Sequence, residues 1–379
     1  IREAGKTNRD IEKKMEEYCP YMQEMTAEAL RIFEKASLNM AWYNRLVENR
    51  EVIAEQLDAM AYIMEDCAKK QKNITEECRS NLQDIAYRAR ERGIKVIDEQ
   101  LWEKENGRWQ LVMKVMVKDG CVTTRELTKA VAGALNRRMI PEKDTKTLIG
   151  KGVNLYTYEE EPRFQAIYGV ARMVKDGAAV SGDNFSFLEP ESGKMVMCLS
   201  DGMGSGSLAC KESEMVIELV EKFLEAGFDV ETAARMMNSA MVMKGQEDLF
   251  STVDISELDL YDGTCRFYKI GAAATFIRRN GIVECLISTS LPVGVSYKLD
   301  MEKSEKDLYN GDFLVMVSDG VLEYLHVPNP EETMQEIIES IETNNATILA
   351  KRILERVLLF TGGKAADDMT VLATAIWEK

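Results

Sequence analysis

Histidine is almost missing from this chain of 379 residues: there is one, His326. That scarcity removes Ser-His-Asp triads, Cys-His pairs, HExxH zinc sites and phosphohistidine relays unless His326 itself serves. His326 stands in a His-Val-Pro-Asn-Pro loop and reads as a surface histidine. Positive charge is also short, with 48 Lys and Arg against 64 Asp and Glu and a net charge of −16. The basic footprint that nucleic acid or an acidic membrane requires is therefore absent. Eight cysteines (Cys19, Cys67, Cys78, Cys121, Cys198, Cys210, Cys265, Cys285) form no CxxC pair, so they read as reduced thiols rather than a zinc site or a disulfide framework. No apolar run reaches the length of a membrane span, and the polar first thirty residues carry no secretory signal. The chain opens on Ile1 without a Met and reads as a piece of a longer protein, itself expected in the cytoplasm.

What the chain has is one phrase written twice. An apolar run ends in Ser-Asp-Gly at Met195–Gly202 and again at Phe313–Gly320. Each reads as a buried strand of about five residues stopped by a turn, since continuous apolar runs of that length suit a sheet covered on both faces. Two acidic turns stand at strand starts instead: Gly182-Asp183-Asn184 before Phe185–Leu188, and Asp367-Asp368-Met369-Thr370 before Val371–Ile376. In antiparallel neighbours the exit of one strand lies beside the entry of the next. Two exits and two entries can bring four carboxylates to one rim of a sheet.

The rest of the chain divides by texture. Residues 1–92 are helical in pattern, with stripes at Met22, Met25, Ala29, Ile32, Ala36 and at Ile53, Leu57, Met60, Met64, Cys67. Such stripes bury against a helix of the same chain or of a second copy, and the sequence leaves hairpin and dimeric coiled coil both open. Residues 93–152 read as a small α/β segment, with strands at Ile94–Ile97 and Trp109–Val117 and a helix over Thr124–Arg138 capped by Thr124. Residues 153–379 form the larger domain. There, Asp262-Gly263 and Asn280-Gly281 predict type I′ hairpins between Ile255–Leu260 and Cys265–Ile270 and between Ala274–Ile277 and Ile282–Ile287. Helices are expected at Leu208–Ala226, Val230–Met243, Pro330–Ser340 and Ile348–Leu359. The fold class is α+β, an antiparallel β-sandwich flanked by helices.

The four acidic turns suit a hard cation. Carboxylates, backbone carbonyls and water are ligands of magnesium and manganese rather than of zinc or copper. Asp201 can bridge two such ions, with Asp183, Asp319 and Asp367 to the sides and Gly202 offering its carbonyl. Water held between two cations ionises near neutral pH, and the cations offset charge on a phosphoryl group, so hydrolysis needs neither a protein nucleophile nor a histidine.

In their order, Gly182-Asp183-Asn184, Asp201-Gly202-Met203-Gly204, Ser318-Asp319-Gly320 and Asp367-Asp368-Met369-Thr370 resemble the metal-dependent PPM (type 2C) serine/threonine phosphatases. The Ser-Asp-Gly-Met-Gly-Ser-Gly run and Thr289-Ser-Leu-Pro-Val-Gly294 look like the stage II sporulation protein E branch of that family, from about Val153 to Trp377. Glu48–Asp66 and the α/β stretch resemble its regulatory region. The resemblance implies two Mn2+ or Mg2+ ions held by Asp183, Asp201, Gly202, Asp319 and Asp367, with Asp201 and Asp319 catalytic and Asp368 behind the ligands. It implies a phosphoserine substrate on a small anti-anti-sigma partner, whose dephosphorylation frees a sporulation sigma factor. It further implies membrane attachment of the full-length protein, and dimerisation through the N-terminal helices or through Leu208–Met243 acting as a switch. Many relatives place a histidine where this chain has Met203, and no arginine matches their phosphate-holding residue. The rival readings are a phosphatase-like signalling scaffold without turnover and an assembly protein built on the N-terminal helices.

Overall fold

The structure, a computed structural model, describes residues 61, 76–103, 108–142, 145–190, 193–204, 206–243, 250–296, 298–360 and 362–379. The N-terminal apolar stripes lie outside the described residues.

The first sheet is built from β1 (Ile94–Glu103), β2 (Trp109–Val117), β4 (Met139–Pro141) and β6 (Asn154–Glu160), in the antiparallel order β1-β2-β6-β4. Two helices, α1 (Glu76–Glu91) and α2 (Thr124–Leu135), pack against it, and β3 (Val122–Thr123) pairs with β5 (Leu148–Ile149) beside them. Alternate residues of β2 (Leu111, Met113, Val115, Val117) face the helices and are buried with Ile85, Leu127 and Val131. Tyr156 and Tyr158 of β6 complete this core. The helix start differs from expectation. Thr123 is the N-cap, and Thr124 is the first helical residue, its hydroxyl turned to the Lys146 carbonyl. The helix stops at Leu135 because Asn136 takes the left-handed conformation (φ 51°), an amide side chain tolerating what most residues resist.

The second body is a sandwich of two five-stranded antiparallel sheets. One has the order β14-β11-β10-β9-β8, from β8 (Asp183–Leu188), β9 (Lys194–Gly202), β10 (Ser251–Asp259), β11 (Thr264–Ile270) and β14 (Glu302–Asp307). The other runs β13-β12-β15-β16-β7, from β7 (Phe164–Met173), β12 (Thr275–Arg279), β13 (Ile282–Leu286), β15 (Phe313–Val317) and β16 (Met369–Glu378). Outside the first sheet lie α3 (Ser207–Glu225) and α4 (Val230–Met243); outside the second lie α5 (Asp319–Glu323), α6 (Pro330–Glu339) and α7 (Ala346–Phe360). Strand alternation assigns the layers. In β9, Met195, Met197 and Leu199 face the opposite sheet, while Val196 and Cys198 face α3 and α4. An α+β sandwich flanked by helices is the fold class read from the sequence.

Two details depart from that reading. The Asn280-Gly281 turn has both residues at positive φ (50° and 82°), as a type I′ hairpin needs. At Asp262-Gly263 only Gly263 does (φ 87°), and the connection is a longer loop in which the Asp259 and Asp262 side chains accept the Tyr261 and Thr264 N–H groups. The two Ser-Asp-Gly phrases also end differently. Asp201 and Gly202 stay in β9, paired with Thr252 and Ser251, whereas β15 ends at Val317, Ser318 is the N-cap and Asp319 opens α5.

Helix α7 lies close on β7 at Gly169, where an added Cβ would stand 2.3 Å from the Thr347 backbone. Gly169→Ala should therefore lower unfolding free energy by about 1–3 kcal/mol, the usual cost of overpacking. Chemical denaturation checks this; a loss below about 0.5 kcal/mol would show that α7 can shift freely.

Candidate metal centre

The sandwich brings the acidic turns to one rim. Asp183 and Asp201 are register partners across β8 and β9, the closest placement two strands offer. Asp319 and Asp367 join Asp201 and Gly202 in lining a cleft of about 440 Å3, which Met203, Phe250, Thr252 and Pro292 also line. His326 is not among these lining residues; it is exposed on the loop after α5 (φ 50°), edge-on to Tyr324.

Asp183 is fully buried, and no hydrogen-bond donor meets either carboxyl oxygen. Its pKa is raised, first by burial and further by the Asp319 charge; the Thr370 and Ser318 hydroxyls lie close enough to ease the shift but outside hydrogen-bond geometry. Burial likewise lifts Asp201 far above the carboxylate range, and the neighbouring Asp319 and Asp183 lift it more. Glu323 of α5 is raised by burial and by the Asp319 and Asp367 charges. Like charges have thus been assembled where water solvates them poorly.

Close backbone contacts fix this geometry. A Cβ on Gly202 would meet the Ala209 carbonyl oxygen at 2.1 Å, so the start of α3 rests directly on the end of β9. The Asn184 side chain donates to the Cys210 carbonyl and to Ser213 Oγ, and the Ser213 hydroxyl donates to the Gly182 carbonyl. Asp368 holds the β7–β8 loop at both ends, its Oδ1 accepting the Lys175 N–H at 2.9 Å and its Oδ2 the Gly182 N–H at 2.8 Å. Both oxygens are thereby occupied by backbone, whereas Asp367 faces the cleft. Ser251 Oγ donates to the Asp201 carbonyl at 2.7 Å, and its main chain exchanges hydrogen bonds with Val293. Asn238 of α4 clamps that same loop, accepting the Gly294 N–H at 3.0 Å and donating to the Ser296 carbonyl at 2.9 Å.

Sequence reasoning had overlooked two residues here. Lys175 lines the cleft with Nζ 3.5 Å from Asp367 Oδ1, and nothing in a lone lysine eight positions before Asp183 advertises it. Asn238 was hidden in a methionine-rich helix, where a polar residue between Met237 and Met241 was the available signal.

The residues present fit a hard divalent cation. The donors are carboxylates and a carbonyl, Asp183 has two orphaned oxygens, and the rim holds more negative charge than one lysine offsets. Among the described residues no three His, Cys, Asp or Glu side chains form a ready-made cage. Asp201, Asp319 and Asp367 line the cleft while Asp183 is buried behind Asp201, an arrangement suited to an ion that retains several waters, as Mg2+ does.

Fold and rim together define the PP2C phosphatase-domain class. The family model for stage II sporulation protein E matches residues 191–376, and the model for its regulatory domain matches residues 1–137. The chain belongs to the stage II sporulation protein E family. It is 26% identical over 371 residues to stage II sporulation protein E of Bacillus subtilis (strain 168), covering 98% of this chain and 45% of that protein. The Priestia megaterium protein is 28% identical over 337 residues, covering 88% and 57%. The chain thus spans about half the length of the curated relatives it matches. A solved structure of the PP2C phosphatase domain and a fragment of the regulatory domain of SpoIIE from Bacillus subtilis superposes with a TM-score of 0.61 at 28% identity, covering 88% of this chain and 98% of that one.

The raised carboxyls fix the sign of a pH effect. Above the ordinary carboxylate range, near pH 4, the unfolded chain has released protons that the folded chain still holds, so ion-free stability falls as pH rises. A bound cation removes that penalty. The ion-free protein should melt lower at pH 8 than at pH 5.5, and Mg2+ or Mn2+ at about 100 times the dissociation constant should raise the melting temperature by about 5–10 °C at pH 8 and by less at pH 5.5. Calorimetry showing no response at either pH would contradict the site.

Proposed function

We propose that this chain is a divalent-cation-dependent protein serine phosphatase. Its substrate is phosphoserine on a small anti-anti-sigma-type partner, and dephosphorylation of that partner activates a sporulation sigma factor. The observation that carries the reading is buried Asp183, both oxygens without a donor, in register with Asp201, which lines the cleft. Asp183, Asp201, Asp319, Asp367 and the Gly202 carbonyl hold two ions, Mn2+ or Mg2+. When bound, the ions supply positive charge against the phosphoryl oxygens and lower the pKa of water. The protein's own part is positional: Ser251 sets the Asp201 carbonyl, and Asp368 staples the loop behind Asp183. Met203 is exposed at the rim and carries no acid, so it does not protonate the serine leaving group. The segment before Glu76 serves dimerisation and regulation. This part faces the cytoplasm, and any membrane attachment comes from sequence outside it; no helix among the described residues is long and apolar enough to cross a membrane.

A scaffold without turnover is the second reading, favoured by the Lys175–Asp367 ion pair in the cleft. Phosphate release from a phosphoserine protein and from an aryl phosphate, titrated with Mn2+, separates the two. Turnover should be manganese-dependent and should fall on the order of 100-fold or more in Asp319→Asn, since a ligating carboxylate is worth at least a single oxyanion-hole donor. Turnover unchanged in Asp319→Asn would sink the ligand assignment, and none at any Mn2+ level in wild type would favour the scaffold.

A further inference from the structure

We infer that Lys175 is the cation that holds the phosphoryl oxygens of the substrate, in a cleft that has no arginine for the task. The inference rests on the phosphatase reading, but phosphate binding tests it separately.

A phosphate monoester entering this cleft meets Asp201, Asp319 and Asp367, and a dianion needs positive charge beyond what cancels those groups. Among the described lining residues Lys175 is the single cation. The nearest arginine in sequence, Arg172, is committed elsewhere, its guanidinium donating to the Asp183 and Ser181 carbonyls. Lys175 is built to present a movable charge on a fixed base. Its N–H is held by Asp368 Oδ1, its carbonyl accepts the Ala178 N–H at 3.0 Å, and Asp176 N–H donates to the Ala365 carbonyl at 2.8 Å. The main chain is therefore held in place, and the four-carbon stem carries the ammonium beyond it into the cleft. The side chain is 35% exposed, and its side-chain partner among the described residues, Asp367 Oδ1, lies at the long limit of a hydrogen bond, 3.5 Å. That contact is weak enough to exchange for a phosphate oxygen, where a lysine acts as a compact point charge. That exchange also releases Asp367 to face a cation, so substrate and ion would assist each other.

The test compares the full 379-residue wild-type chain with Lys175→Met and Lys175→Arg. Three quantities are read: steady-state hydrolysis of a phosphoserine protein, binding of inorganic phosphate to the Mn2+-loaded chain by calorimetry, and Mn2+ affinity itself. Lys175→Met should raise KM and weaken phosphate binding by about 10–100-fold, the worth of one charge-assisted hydrogen bond. Mn2+ affinity should be unchanged or tighter, because a competing ammonium has gone, and Lys175→Arg should restore most phosphate binding. Equal phosphate affinity in wild type and Lys175→Met, with Mn2+ binding intact, would overturn the inference, as would a wild type that binds Mn2+ but no phosphate. Phosphate binding that depends on Lys175 without any turnover would uphold it and overturn the phosphatase reading instead.

Discussion

A sheet rim crowded with carboxylates is the constraint from which the rest of the domain follows. Leaving even one charged group short of solvent costs several kcal/mol, and here Asp183 and Asp201 stand opposite each other in register with Asp319 nearby. Left to itself such a rim would splay. It is held by contacts too close to relax: Gly202 against the Ala209 carbonyl, and Gly320 against the Asp368 carbonyl, where an added Cβ would come within 2.2 Å. Each glycine is placed where a second element crosses the strand end, so the repulsion is met by main-chain packing. Side-chain flexibility could not supply that.

The two sheets must also keep their relative position, because the acidic residues come from both. A buried pair does this just inside the rim. Lys269 of β11 reaches Asp254 of β10, the Ala273 carbonyl and Thr275 of β12, so one ammonium bridges both sheets. On the other sheet, Ser318 and Thr370 exchange hydrogen bonds that hold the Asp319 turn to the start of β16. Breaking either partner of a buried pair is far more damaging than never having built it. Lys269 and Asp254 therefore read as framework for the site, although neither lines it.

These features differ in how visible they are in the sequence. Strand ends carrying Asp201 and Asp319 were legible because buried strands are apolar throughout and the acidic break is abrupt. Asn280-Gly281 was legible because few dipeptides accept two positive φ values. Glu302–Asp307 was not, since β14 is an exposed edge strand of charged residues whose pairing with β11 is imposed by the neighbouring strand. Likewise, Asn154–Glu160 looks in sequence like the opening of the larger domain, whereas its strand pairs with β2 and β4 and buries Tyr156 and Tyr158 in the first sheet's core. Roles that depend on a meeting of distant segments, such as Asp368 across to Gly182 or Asn238 across to Gly294, have no local signature.

Asn238 also changes what helix α4 means. The helix packs through Val230, Ala233, Met237 and Met241 onto the outer face of the first sheet, which alone would make it a cover. Through Asn238 it also grips the loop at Gly294 and Ser296; the loop pairs through Val293 with Ser251, and Ser251 donates to the Asp201 carbonyl. Each link is a hydrogen bond with a defined direction, so a rotation of α4 cannot be absorbed without moving either the loop or the strand end. On the opposite side of Asp201, α3 touches Gly202 directly. Two successive helices thus address two consecutive residues of the rim, one by contact and the other through a loop. Deeper in, β9 is anchored by Met195, Met197 and Leu199, which face the opposite sheet.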